Sequence, residues 1–103
     1  MTAKAPRILC IEPDPSVLDS RCGILKHHGY DALAASLQLA EVLLASQRID
    51  LIILSAMLKG EEKSRIASAA GKTRILVLEG LTLPSELLSL VAERVRPGQA
   101  RIA

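Results

Sequence analysis

The 103-residue chain predicts an α/β fold with one open parallel sheet sandwiched by helices. Three observations carry that expectation. Short apolar runs alternate with segments of helical spacing along the whole chain. Leu51 to Leu54 is apolar at successive positions, as a central strand covered on both faces must be. The connections are short, which suits parallel strands joined by right-handed helical crossovers.

The first strand is Arg7 to Ile11, stopped by Glu12-Pro13-Asp14-Pro15, where two prolines forbid a continued ladder. Asp14 or Ser16 then caps a helix whose apolar stripe is Val17, Leu18, Cys22 and Leu25, and Gly29 ends it. Tyr30 to Ala35 forms a second, weaker strand. Ser36 caps a second helix with Leu37, Ala40, Val42, Leu43 and Leu44 on its apolar face. Asp50 to Leu54 is the third strand. A short, polar, Ala-rich helix follows from about Glu61 to Ala70, and Arg74 to Leu78 is the fourth strand. Pro84 sits in the first turn of a last helix with the stripe Leu87, Leu88, Val91 and Val95. Pro97-Gly98 ends it. The chain is expected to form a single domain over 1–103 with a mobile tail at 97–103.

Composition narrows the function. Half of the residues are hydrophobic, enough for a core without metal or disulfide staples. Tyr30 is the sole aromatic residue, so the stacking platforms of single-stranded nucleic-acid binders are missing. Net charge is +2, and the loose group Arg94, Arg96 and Arg101 is too sparse for a nucleic-acid footprint. No run reaches the roughly 18 apolar residues of a membrane span, and Met1 to Pro6 is not a secretory signal. A cytoplasmic protein with no nucleic-acid or membrane partner is expected. Cys10 and Cys22 are expected to be buried, reduced core residues.

Most chemical motifs fail. Gly71-Lys72-Thr73 resembles the end of a phosphate loop, but Ile66 stands where that loop needs glycine, and the helix precedes it instead of following. Adjacent His27 and His28 point about 100° apart on a helix, so they cannot share a metal, and one is expected to be partly packed and the other solvated. Cys10 has no cationic partner nearby in sequence. No catalytic set and no cofactor are expected, so the chain is not read as an enzyme. Glu12, Asp14, Ser55 and Glu79 all fall at the ends of strands, the pole where open parallel sheets bind ligands. Asp14 and Ser16 are better explained as helix caps.

The ordered set of segments resembles the receiver domain of bacterial response regulators. Ile8 to Pro15 is similar to that family's first strand and acidic metal-binding turn, and His28-Gly29-Tyr30 to its helix-to-strand junction. Asp50 to Ser55 is similar to the strand that ends in the phosphoacceptor aspartate, and Met57-Leu58-Lys59-Gly60 to the Met-Pro-Gly segment after it. Leu83-Pro84 is similar to its Lys-Pro. The resemblance implies a flavodoxin-like or CheY-like arrangement of about four strands, lacking the family's fourth helix and fifth strand.

The departures point away from phosphorelay chemistry. Where the family has its acidic pair, this chain has Glu12 and Pro13. The phosphoacceptor is replaced by Ser55, the switch hydroxyl residue by Glu79 and the lysine by Leu83. Aspartyl phosphorylation needs a carboxylate nucleophile, Mg²⁺ on oxygen ligands and a cation for the developing charge. The expected function is a degenerate, phosphorylation-independent interaction module in two-component signalling. Residual metal or phosphate binding at Glu12, Asp14 and Ser55 is the first alternative, and a small α/β enzyme of unknown reaction the second. With the fifth strand lost, Ile75, Leu76, Val77 and Leu78 become an exposed edge, expected to bind a signalling protein or a second copy as a homodimer.

Overall fold

The computed structural model describes residues 5–79 and 82–95. The order is β1 (Arg7–Ile11), α1 (Pro15–His27), β2 (Asp31–Ala34), α2 (Leu37–Ser46), β3 (Leu51–Ser55), α3 (Gly60–Ala70), β4 (Arg74–Leu78) and α4 (Pro84–Val95). The strands form one parallel sheet in the order β2-β1-β3-β4. The expected fold class is therefore what the chain adopts. Ile8 pairs with Ala32 on one side and Leu51 on the other, and Ile52 pairs with Ile75.

Alternation along each strand divides the core into two layers. Ile8, Cys10, Leu51, Ile53, Leu76 and Leu78 face α1 and α4, where Cys22, Leu25, Leu87 and Val91 meet them. Leu9, Ile11, Ile52 and Leu54 face α2 and α3, against Ala40, Ile66 and Ala70. β3 is buried at every residue, which is why its sequence shows no polar alternation. Without large aromatics, the layers are filled by branched aliphatic side chains.

Local signals set the boundaries. The Asp14 carboxylate accepts from the Ser16 amide at 2.9 Å and caps α1, with Pro15 in the first turn. Gly29 follows α1 at φ +89°, a conformation that strains any residue with a Cβ. The Ser36 hydroxyl accepts from the Leu39 amide at 3.2 Å and caps α2. Gly71 turns α3 into β4 at φ +59°, so the Gly-Lys-Thr segment is a helix stop and strand entry. At the amino ends of the strands, the Arg7 side chain bridges Asp31 and Gln47, while its amide donates to the Asp50 carboxylate at 2.7 Å.

Three expectations are corrected. Val42, expected on the apolar face of the second helix, is 60% exposed: α2 turns Ala40, Leu37, Leu43 and Leu44 toward the core, and Val42, two residues after Ala40, falls about 200° away on the opposite face. Both His27 and His28 are exposed; α1 ends at His27, and the His28 ring turns back to within 3.0 Å of the Ile24 carbonyl. Strand and helix ends shift slightly, with Ser55 inside β3 and Gly60 inside α3. The tail from 97 onward, with Arg96 and Arg101, lies outside the described residues. Among the described residues, no helix is long and apolar enough to cross a membrane.

Candidate functional site at the carboxyl ends of the strands

The strand order reverses between β1 and β3, so the carboxyl ends of these strands frame the place where such sheets take ligands. Glu12 follows β1, Ser55 ends β3 and Glu79 follows β4, all at this pole. Their side chains do not form an open polar site.

The Glu12 carboxylate is only 5% exposed, and both oxygens are engaged. Oε2 accepts from the Asp14 amide at 2.8 Å, a bond local to the turn. Oε1 accepts from Nη1 of Arg21 at 3.2 Å. The Arg21 guanidinium, in the middle of α1, is itself only 6% exposed. Its Nη2 donates to the backbone carbonyl of Glu79 at 3.0 Å. One planar fork thus joins the turn after β1 to the chain leaving β4. Glu79 takes part through its backbone and leaves its side chain toward solvent.

Ser55 is fully buried. Its Oγ accepts from the Met57 amide at 3.1 Å, closing the turn after β3. The Ala56 amide donates to the Leu78 carbonyl at 2.8 Å, which seals this turn against β4. Asp14 is used as a helix cap and does not turn inward to join Glu12. Leu83 is 60% exposed just before α4, where its amide donates to Glu86 at 3.0 Å. Pro13 is exposed and has no side-chain oxygen. No buried side-chain nitrogen or oxygen among the described residues lacks a partner.

Arg21 escaped the sequence reading, although a signal was present. It lies four residues after Val17 and four before Leu25, on the stripe that α1 turns toward the sheet. A charged residue at a stripe position needs a buried partner. Beside the pole, a cleft of about 460 Å³ runs between the turns after β1, β2 and β3, lined by Pro13, Leu37, Met57, Lys59 and Glu62 among others. Met57 is 75% exposed at its rim.

No family model matches the chain, and no curated protein matches it. Solved structures do. The signal receiver domain of a LuxO repressor protein from Vibrio parahaemolyticus superposes with a TM-score of 0.77, over 95% of each chain at 17% identity. The chain has the receiver-domain fold. A CheY-like receiver domain from Methanospirillum hungatei gives 0.66 over 94% of this chain and 98% of that one, also at 17% identity. The phosphoreceiver-containing carboxyl-terminal part of RcsC from E. coli gives 0.63 at 16% identity, over all of this chain and 51% of that one.

The receiver fold implies a Mg²⁺ ion at this pole, and the residues present do not fit one. Mg²⁺ demands near-octahedral oxygen coordination. Here Glu12 is saturated by protein donors, Pro13 beside it has no side-chain oxygen, the Asp14 carboxylate caps α1, and the buried Ser55 hydroxyl is occupied by a backbone amide. The described residues hold no group of three metal-ligating side chains.

Proposed function

We propose that this chain is a phosphorylation-independent protein-interaction module of signal transduction, a receiver fold that carries no phosphoacceptor. One observation carries the reading: the residue at the phosphoacceptor position is a fully buried serine whose oxygen is already hydrogen-bonded. A phosphoryl donor cannot reach Ser55 without opening the turn after β3. The engaged Glu12 carboxylate supports the same reading.

The partner surface we assign to the module is the free edge of β4. Among the described residues β4 pairs only with β3, and no strand covers its other edge. A bare parallel edge presents unpaired amides and carbonyls to a partner strand. Val77, 48% exposed, faces the side of α2 and α3 beyond the cover of α3. The partner is a protein, a signalling component or a second copy of this chain.

The test is an amide NMR titration of the full chain with Mg²⁺ and beryllofluoride, a mimic of the aspartyl phosphate, followed by acetyl phosphate and intact mass. The expected result is no saturable shift at Glu12, Ser55 or Glu79 and no added phosphoryl mass. Saturable shifts at those three residues, or a phosphoryl adduct on Ser55, would overturn the reading.

A further inference from the structure

We propose that Arg21 is a resident cation that stands in for the divalent metal of the receiver fold, holding the pole in a single charge state that no ion can enter. The inference rests on the geometry of the pole alone and is independent of what binds β4. Arg21 reaches the buried Glu12 carboxylate of the turn after β1; Asp14, the other acidic residue of that turn, is used as the cap of α1. Its second nitrogen takes the Glu79 carbonyl, an oxygen ligand of the kind a hard cation would claim. Both charged groups are nearly excluded from water, so neither is balanced by solvent and each needs the other.

A guanidinium does what an ion would do here electrostatically, with two differences. It is covalently part of α1, so its occupancy does not depend on any concentration. Its fork is planar and directional, so it fixes where the Glu79 carbonyl lies relative to Glu12, and with it the start of the segment between β4 and α4. The lysine position of the fold, Leu83, has meanwhile turned outward.

The experiment compares the wild-type chain with Arg21→Ala, Arg21→Lys and the double variant Arg21→Ala with Glu12→Gln, using Mn²⁺ as the probe. In the wild type, millimolar Mn²⁺ is expected to leave the amide signals of Glu12, Asp14 and Glu79 as intense as those of the rest of the sheet. Selective bleaching there would overturn the proposal. Arg21→Ala leaves a buried carboxylate without its counter-charge, and Tm is expected to fall by more than about 10 °C. Mn²⁺ should then raise the Tm of this variant and bleach Glu12 and Glu79. The double variant, which has no buried charge to satisfy, should not respond. An Arg21→Ala protein that folds and ignores Mn²⁺ would show that the arginine is not a metal surrogate. Arg21→Lys keeps the charge and loses the fork. Hydrogen exchange at the Thr82 amide, which donates to the Glu79 carbonyl at 3.3 Å, is expected to rise about tenfold in it, and an unchanged rate counts against the proposal even if Arg21→Ala does not fold.

Discussion

Cys10 and Cys22 show how much one residue's chemistry depends on its neighbour across the β1–α1 contact. Both are buried in the layer beneath α1 and α4. The neighbouring Cys22 side chain, with burial acting the same way, holds the Cys10 proton well above the ordinary thiol value of 9.0. Cys22, through its interaction with Cys10, is pulled down, to about 7. As pH rises past the ordinary thiol value, an unfolded Cys10 loses its proton while a folded one keeps it. The folded state then binds more protons than the unfolded state, so stability is lost as pH climbs. Urea unfolding at neutral and alkaline pH should show the wild type losing about 1 kcal/mol more per pH unit than Cys10→Ala once the thiol range is passed. Equal losses in the two proteins would show that the proton is not held.

At the scale of elements, β4 is the strand whose environment the rest of the fold leaves unfinished. Its two side-chain rows have different fates: Leu76 and Leu78 are buried under α4, while Val77 is half exposed. A twofold antiparallel pairing centred on Leu76 would set Ile75 beside Val77 of the second copy, apolar against apolar. Sedimentation over a range of concentrations is expected to show a reversible dimer. Val77→Lys should weaken it at least about tenfold while changing monomer stability by no more than about 0.5 kcal/mol. A wild type that stays monomeric would remove self-association from the role of this edge.

The elements themselves were legible because their signals are local. Prolines after β1, caps at Asp14 and Ser36, glycines at 29 and 71, and unbroken apolar runs in β3 and β4 are all readable within a few residues. Val42 shows that apolar character alone does not place a residue on the buried stripe: it lies about 200° around α2 from the buried Ala40 and faces outward. The pole was readable in part: topology brings Glu12, Ser55 and Glu79 to one end. What fills that end was not, since the Arg21 contacts join residues 9 and 58 positions apart and depend on how α1 is rolled against β1.

Across the whole molecule, protection runs from the centre of the sheet outward. β1 and β3 are paired on both sides and covered by both helical layers. Their amides are expected to exchange only through global unfolding, whereas β2 and β4, each paired on one side only among the described residues, should open at lower free energy. Native-state hydrogen exchange at low denaturant would show the two classes separately. A single class shared by all four strands would mean the sheet opens as one unit.

The exposed turn at Gly71 has a consequence for protein engineering. A cut there divides the chain into a larger piece, with three strands and Arg21, and a smaller one holding only β4 and α4. The larger piece would offer its partner a naked β3 edge and one unpaired guanidinium donor; the smaller would bring a matching strand and the Glu79 carbonyl. The two halves carry complementary addresses, which makes this small domain a natural scaffold for a split reporter whose reassembly is read one strand at a time.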